Sequence, residues 1–470
     1  MRTAIPIAIL SLPLLASCAS LNKAAHVATG LTSHQLCSAA FVSGIDPDEM
    51  YRQQIKPALG PASALVRYRV DRVRLEATAS LAGLARTHAV YRGVLGCLVL
   101  HGAKPSTLDI SERDEPVKPR LEAIAGPGLV EPTDARLRAA LDAAFRERAT
   151  GPRRWAKAVV ILHEGHVVAE RYAPGYGINT PVTGWSMTKS ITNALAGILV
   201  RQGRLAMDRP AEVTAWSHSD DPRHAITPDQ LLRMTSGLEL GNSVAPTPFS
   251  GFAVDARAVF AERDKAGFSA ASRLRAAPGK TFTYSDASTL ILSGLIRDKV
   301  GGDTASVYRF AHRELFDVLG MSHAVLEFDA LGTPLGATHL WATARDWARF
   351  GQLYLDDGIV GGERLLPAGW VEYSARQTPG SELYGYGAGF WTNRGSGPAV
   401  SYRRSHGMPA DSFYAHGNFG QSLIIVPSAR LVIVWLGSAH TPRGDIEAAA
   451  QLTSDAIAAT STSGKPPYVE

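Results

Sequence analysis

The pattern of apolar positions divides the chain into segments of different predicted structure. Between residues 37 and 102, the pattern predicts a helix over 46–55, followed by four short runs in which apolar and polar residues alternate: 65–70, 75–81, 87–91 and 95–100. Alternation with a period of two is typical of β-strands, and glycines and charged residues separate these runs. The segment is therefore predicted to be a small antiparallel sheet with one helix.

The next segment, 103–132, contains five prolines with charged residues between them, which is typical of a linker. From Thr133, which can cap a helix, apolar residues recur at helical spacing as far as residue 145. The runs 158–162 and 166–169 then flank an acidic residue and a glycine, and they predict a β-hairpin. A helix and a strand pair therefore open a large domain, which we assign to residues 133–462.

A second strand pair is predicted near the end of this domain. Thr227 and Pro228 begin a predicted helix that ends near Gly237, since glycine suits the left-handed position after a helix. Further on, the pattern predicts two strands and a closing helix: 421–426, 431–436 and 446–459. Strands from both ends of the domain can join one antiparallel sheet covered by helices, which is an α+β architecture.

Residues 1–17 have the pattern of a signal peptide. One charge, Arg2, precedes an apolar run over 4–15 that is too short to span a bilayer. The run ends in the letters LAS followed by Cys18, which is typical of a bacterial lipobox whose cysteine receives a lipid. We therefore expect a lipid anchor on Cys18, with the mature unit 18–102 following it. The alternative is a soluble secreted protein cut after Ala19.

The predicted export also bears on the remaining cysteines. Ala19 favours sorting to the outer membrane, facing the periplasm, which is an oxidising compartment. If Cys18 carries the lipid, Cys37 and Cys97 are left as one pair, and we expect them to form a disulfide. The alternative is two buried free thiols. No CxxC or Cys/His cluster is present, which excludes a thiolate-ligated zinc site.

Composition and charge exclude several classes of function. The 470 residues carry a net charge of +5 without a long basic run, so a nucleic-acid partner is not expected. The sequence contains no P-loop, HExxH motif or dinucleotide fingerprint, and we expect no cofactor and no metal. The GxSxG pattern of α/β-hydrolases is also absent from the sequence.

Ser186 and Lys189 are three residues apart, directly before an almost wholly apolar helical segment. This spacing places both side chains on one face of the helix start. A serine hydroxyl is a weak nucleophile unless a base removes its proton, and a lysine can act as that base when burial disfavours its charged form. The alternative is a capping serine beside a solvated lysine, but a lysine at the start of a core helix is difficult to keep in water.

Two later segments hold further candidate residues. Tyr284 and Asp286 occur in the run PGKTFTYSD, where a phenol near an ammonium can pass a proton to a leaving group. The alternative for Tyr284 is an ordinary half-buried strand residue. Gly417 and Asn418 stand just before the predicted strand 421–426. Glycine at a strand edge lets a substrate approach the backbone, whose N–H groups can donate to an oxyanion.

In their order along the chain, these motifs resemble those of the β-lactamase-related serine hydrolases. That group comprises class C β-lactamases, D-Ala-D-Ala peptidases, esterases and 6-aminohexanoate-dimer hydrolases, and the S-x-x-K signature belongs to it. The resemblance covers residues 133–460 and implies a β-lactamase/transpeptidase-like antiparallel sheet covered by helices, with an all-helical insertion. It implies that Ser186 is the acylated nucleophile, Lys189 its base partner and Tyr284 the tyrosine of the second motif.

The resemblance also implies an oxyanion hole formed by the backbone N–H groups of Ser186 and Asn418. The candidate substrate-binding residues are Trp185, Asp286, His416 and Gly417. Two positions depart from the family pattern. Asp286 stands where class C β-lactamases have Asn. In place of K-T-G the chain has Ala415, His416 and Gly417, so the cation that meets a substrate carboxylate is missing unless His416 or another residue supplies it.

These departures favour a hydrolase of small esters or amides, working through an acyl-enzyme on Ser186. Two alternatives stay open: a β-lactamase or D-Ala-D-Ala carboxypeptidase acting on peptidoglycan-like substrates, and a non-catalytic envelope lipoprotein that binds cell-wall fragments. The expected partners are a small-molecule substrate and, through the N-terminal lipid, a membrane.

Overall fold

The computed structural model describes residues 12–102, 117–243, 253–441 and 445–461. These residues form a small N-terminal unit and a larger α+β domain built on a six-stranded sheet. Among them, no helix is both long enough and apolar enough to cross a membrane. The expected α+β fold class is confirmed.

The N-terminal unit is a helix packed on a four-stranded antiparallel sheet. Its strands lie in the order β1–β4 and occur where the alternating runs predict them: Val66–Asp71, Glu76–Leu81, Ala85–Tyr91 and Cys97–Val99. The predicted helix over 46–55 is α2 (Pro47–Met50) followed by a π-helical turn (Tyr51–Ile55), and α3 spans Lys56–Leu59.

The helix that covers this sheet is α1, Leu12–Ser38, which the apolar pattern did not predict. It begins inside the predicted signal peptide and includes Cys18. Residues 1–11 of that predicted peptide lie outside the described residues. The inward side chains of the helix include Ala25, Leu36 and Cys37, which pack against alternate residues of the strands.

The disulfide between Cys37 and Cys97 is present, which confirms the predicted pair. It joins the end of α1 to the start of β4, and its Cα atoms are 6.1 Å apart. Both cysteines are fully buried. Because the bond closes a loop with a sequence separation of 60, the chain-entropy argument gives it about 4 kcal/mol of stability.

The large domain is built on an antiparallel sheet in the order β12-β13-β14-β15-β5-β6. The strand bounds in chain order are β5 Ala158–His163, β6 His166–Tyr172, β12 Trp391–Thr392, β13 Phe413–Gly417, β14 Gln421–Val426 and β15 Leu431–Leu436. Strand β15 pairs with β5, so the two predicted strand pairs meet in one sheet.

Helices cover both faces of this sheet, because each central strand is apolar on both sides. On one face, Val160, Val432 and Val434 pack in the main core, which includes α5 (Thr188–Arg201) and α12 (Ala344–Leu355). On the other face, Ile161 and Ile433 pack against α4 (Ala135–Phe145) and α15 (Ile446–Ser461).

The remaining elements of the large domain are helices and short strands. The described residues between 228 and 319 include six helices, α6 to α11, which matches the implied helical insertion: Pro228–Leu232, Val254–Phe260, Lys265–Ala270, Asp286–Val300, Thr304–Ala311 and Asp317–Leu319. Three short strands form a second sheet in the order β7-β9-β8: Val182–Thr183, Leu340–Ala342 and Val325–Leu326. A small hairpin and two helices complete the domain: β10 Ile359–Val360, β11 Glu363–Arg364, α13 Trp370–Ala375 and α14 Pro398–Ser405.

Several predicted boundaries differ from the observed ones. Asp134 rather than Thr133 caps α4, since its carboxylate accepts the backbone N–H of Arg136. Helix α6 ends at Leu232, while Gly237 takes up its left-handed conformation in the turn beyond. Half of the predicted linker lies outside the described residues, and 117–132 has no helix or strand but places Ile124 in the main core.

Candidate active site

Ser186 and Lys189 meet at the start of a buried helix. Ser186 is in a 3₁₀ turn, Trp185–Met187, that leads directly into α5, and one helical turn separates the two side chains. The Lys189 Nζ atom is 3.0 Å from the Ser186 Oγ atom. Lys189 is only 1% exposed. The spacing of the S-x-x-K motif therefore brings a hydroxyl and an amine into direct contact away from water.

Lys189 has two further partners besides the serine. Its ammonium donates to the backbone carbonyl of Ala337 over 3.1 Å and forms an ion pair with Asp286. An ammonium has three donors, and here each has an acceptor. Burying a charge is costly unless it is paired, so Asp286 is the group that permits Lys189 to lie in the core.

Tyr284 forms another side of this group. Its ring is 3% exposed, and its centroid lies 4.9 Å from the Lys189 Nζ atom. Burial raises the pKa of Tyr284 well above its usual value, and the Asp286 carboxylate raises that pKa further, whereas a hydrogen bond with Ser186 acts in the opposite direction. At neutral pH Tyr284 is therefore a neutral phenol that can supply a proton.

A second buried carboxylate, Asp255 on α7, supports the position of Asp286 on α9. It accepts hydrogen bonds from Ser285 Oγ over 2.6 Å and from the Ala287 backbone N–H over 2.9 Å. Burial and the Asp286 charge raise the pKa of the Asp255 carboxyl. Ser243 contacts both carboxylates and lies 3.3 Å from Asp286. The motifs in the sequence did not indicate Asp255, because it lies in an otherwise unremarkable helix.

The end of β13 lies against the turn that carries Ser186. A Cβ atom added to Gly417 would overlap the carbonyl oxygen of Gly184 and stand 3.1 Å from the Ser186 backbone nitrogen. Only glycine therefore allows this approach. It brings the end of β13, which Asn418 directly follows, against the turn that carries Ser186.

His416 and Ala415 occupy the remaining positions of the third motif. Burial lowers the pKa of His416 to about 4, and the nearby Arg403 guanidinium lowers it further, so the imidazole is neutral at pH 7. Its Nδ1 atom is 3.0 Å from Ser422 Oγ. Ala415 is buried. His416 therefore does not replace the missing lysine charge.

Trp185 is buried rather than open to the cleft. Its ring is 4% exposed and packs edge-on against Phe419 at a centroid distance of 5.4 Å. Other aromatic residues, which sequence reasoning missed, surround Tyr284: Trp391 at 5.1 Å and Tyr386 at 5.3 Å between ring centroids. They are far apart in sequence from Tyr284, and only the packing of β12 beside the cleft brings them together.

One buried group could be considered as a metal site. The potential ligand atoms of His34, Glu327 and His339 lie within 4.8 Å of one another. The two imidazole rings are stacked, with centroids 4.2 Å apart, and His339 Nε2 lies 3.1 Å from the Gln35 side-chain amide nitrogen. Glu327 already accepts from Ser38 Oγ and the Cys97 backbone N–H. We interpret the group as a hydrogen-bonded contact between the N-terminal unit and the large domain.

Comparison with known proteins places this geometry in context. The sequence model of the family described as Beta-lactamase matches residues 141–457. The 6-aminohexanoate-dimer hydrolase of Paenarthrobacter ureafaciens is 25% identical over 301 residues, covering 61% of this chain and 73% of that protein. An uncharacterised protein of Mycobacterium tuberculosis strain CDC 1551 is 27% identical over 344 residues, covering 60% of this chain and 83% of its own.

A solved structure shows the same fold. The penicillin-binding protein homologue of Caulobacter crescentus superposes with a TM-score of 0.52 at 20% identity, covering 71% of this chain and 100% of that one. The residues matched by the family model, 141–457, include the candidate site but not the N-terminal unit.

Proposed function

The chain belongs to the beta-lactamase family of hydrolases, and on that premise we propose that it is a serine hydrolase that cleaves a small ester or amide. The observation that carries the proposal is the 3.0 Å contact between Ser186 Oγ and Lys189 Nζ. Tyr284 and the end of β13 complete the group, and their chemistry suits acyl transfer.

In the proposed reaction, Lys189 first passes one ammonium proton to Asp286, with which it is paired. The resulting amine accepts the hydroxyl proton of Ser186 while the Oγ atom bonds to the carbonyl carbon of the substrate. The negative charge that develops on the carbonyl oxygen is stabilised by the backbone N–H groups of Ser186 and Asn418.

The tetrahedral intermediate then collapses to an acyl-enzyme. Tyr284 donates its phenolic proton to the leaving alcohol or amine as the bond to the carbonyl carbon breaks, and Lys189 returns a proton to Tyr284. In the second half of the cycle, Lys189 removes a proton from water as its oxygen bonds to the acyl carbon, and Tyr284 protonates the departing Ser186 Oγ atom and is reprotonated by Lys189. Asp286 then returns its proton to the Lys189 amine. Each group ends in its starting protonation state, so the net reaction is hydrolysis.

The third motif supports esters or simple amides over β-lactams and peptidoglycan peptides. Those substrates present a carboxylate, but Ala415 occupies the lysine position and His416 is neutral because its pKa is about 4. Trp391 packs beside Tyr284 with a ring-centroid distance of 5.1 Å and is only partly buried, so it offers an aromatic wall. This wall suits an apolar acyl group.

The proposed location is the bacterial cell envelope, with the protein anchored in the outer membrane by a lipid on Cys18 and facing the periplasm. The support is the lipobox pattern in the sequence and the disulfide between Cys37 and Cys97, which suits an oxidising compartment. Mass spectrometry of the N-terminal peptide from membrane fractions tests this: a diacylated Cys18 supports it, and an unmodified cysteine in soluble protein contradicts it.

The test of the nucleophile is Ser186→Ala, assayed on p-nitrophenyl esters and anilides and by fluorophosphonate labelling. Ser190→Ala is the matched control, since Ser190 is a buried serine one turn further along α5 that bonds the Gly389 carbonyl. We expect labelling and turnover to disappear only in Ser186→Ala. Turnover that survives in this variant refutes the assignment.

A fluorescent penicillin separates the alternatives. Stable acylation by the penicillin would favour the peptidoglycan-directed reading. No reaction of the wild-type protein with either probe would favour a binding protein without catalysis.

A further inference from the structure

One side chain of the N-terminal unit reaches the turn that carries Ser186. Gln54, in the π-helical turn Tyr51–Ile55, is fully buried. Its amide oxygen accepts a hydrogen bond of 3.1 Å from the indole N–H of Trp185, and its amide nitrogen donates one of 2.9 Å to Ser438 Oγ. The amide of Gln54 therefore connects two segments of the large domain that are far apart in sequence.

The first of these segments is held in a strained conformation. Trp185 has a φ of 47°, in the left-handed region that a bulky residue rarely adopts. Such a conformation is energetically unfavourable and persists only when its surroundings hold it. Trp185 directly precedes Ser186, so a movement of Trp185 also moves the peptide unit that carries the backbone N–H of Ser186.

The second segment lies behind the other candidate oxyanion donor. Ser438 follows β15, and the backbone N–H of the next residue, Ala439, donates to the Phe419 carbonyl over 2.8 Å. Phe419 directly follows Asn418, and its ring packs edge-on against the Trp185 ring. Gln54 is therefore joined through one contact to the Ser186 side of the oxyanion hole and through another to the Asn418 side.

We propose that Gln54 is a positioning residue that holds the two halves of the oxyanion hole in register, so that the N-terminal unit is an integral part of the active site. This inference rests on the proposed function. It adds a residue that lies outside the family match over 141–457, and it assigns a role to the N-terminal unit. Preorganised donors stabilise the transition state without the cost of moving into place.

The proposal predicts a kinetic effect rather than a binding effect. Replacing Gln54 by leucine keeps the volume of the side chain but removes the acceptor for the indole N–H. The loosened turn should lower kcat on a p-nitrophenyl ester about five- to tenfold, since small misplacements of reacting groups are costly. KM should stay within about twofold, because Gln54 does not touch the substrate.

Gln53→Ala is the matched control, because Gln53 is the adjacent buried glutamine and its amide donates to Glu49 instead. Activity of this variant should remain within about twofold of wild type. Trp185→Phe removes the same hydrogen bond from its other end, and it should reproduce the loss in kcat. Adding Gln54→Leu to Trp185→Phe should then cost less than about twofold more, since the donor is already gone.

Unchanged kcat in either Gln54→Leu or Trp185→Phe overturns the proposal. A loss of kcat in the double variant that equals the product of the two single losses also overturns it. If Gln54→Leu fails to fold, the kcat of Trp185→Phe still tests the proposal, because this variant removes the same hydrogen bond. The proposed function fails separately, through turnover that survives in Ser186→Ala. If Ser186→Ala is inactive and Gln54→Leu is fully active, only the role of Gln54 is refuted.

Discussion

Substituting alanine for Gly417 should disable the site with one methyl group. The added Cβ would overlap the Gly184 carbonyl oxygen and stand 3.0 Å from the Trp185 Cβ atom. Ordinary contacts between heavy atoms need roughly 3.5 Å. All of these neighbours are backbone or Cβ atoms, so no flexible side chain can move aside. Strand β13 and the Ser186 turn must therefore separate by about 1 Å.

A displacement of about 1 Å at reacting groups costs about a hundredfold in rate, which is about 2.7 kcal/mol of transition-state stabilisation. We therefore expect kcat/KM on a p-nitrophenyl ester to fall about a hundredfold in Gly417→Ala. Overpacking should also lower the free energy of unfolding by about 1–3 kcal/mol. Steady-state kinetics and urea titration measure the two effects.

Gly177→Ala is the matched control, because a Cβ atom at Gly177 meets nothing within 4 Å. Its activity should equal that of the wild type. If Gly417→Ala keeps kcat/KM within about threefold of wild type, the close approach of β13 to the Ser186 turn is not what organises the site, and the reasoning is refuted.

Three further predictions concern the base, the disulfide and acid stability. Lys189→Ala should lower kcat about a thousandfold, as loss of a general base does. Single-turnover assays with enzyme in excess over a p-nitrophenyl ester measure this effect. A loss below about tenfold contradicts the role of Lys189 as the base. Breaking the bond between Cys37 and Cys97 with a reductant should lower the free energy of unfolding in urea by about 4 kcal/mol. His416 has its pKa lowered to about 4 in the fold, so its contribution to stability is present above its unfolded pKa of about 6.5 and is lost as pH falls from there towards 4. His416→Gln should therefore lose less stability than wild type between pH 7 and pH 5, and equal losses contradict this.

The bounds of strands in hairpins could be predicted from local sequence patterns, whereas the ends of helices could not. The runs 421–426 and 431–436 appear as β14 and β15 with the same bounds. Two short apolar runs on either side of a turn pair with each other as a hairpin, so few other strand partners compete. Helix ends were less predictable. Helix α6 stops at Leu232, several residues before Gly237, since its last turn is decided by contacts with the rest of the fold.

The residues of the candidate site also differ in whether the sequence could identify them. Ser186 and Lys189 could be paired from sequence, because a spacing of three on one helix start places their side chains together whatever surrounds them. The contacts of Asp255 and Gln54 could not be predicted from the sequence. Their partners, Ser285 and Trp185, are 30 and 131 positions away, and a buried aspartate or glutamine has no local pattern that distinguishes it from a surface residue.

The sequence by itself determined the features that depend on neighbours along the chain: the strand pairs and the S-x-x-K contact. It also indicated the pairing of Cys37 with Cys97, because only these two cysteines remain once Cys18 is assigned to the lipid. Tertiary structure alone decided which residues complete the site. Gly417 reaches the Ser186 turn, and Gln54 reaches Trp185, because the sheet order and the docking of the N-terminal unit bring distant segments together. Such contacts follow from packing of whole elements, and packing is a property of the assembled chain rather than of any one segment.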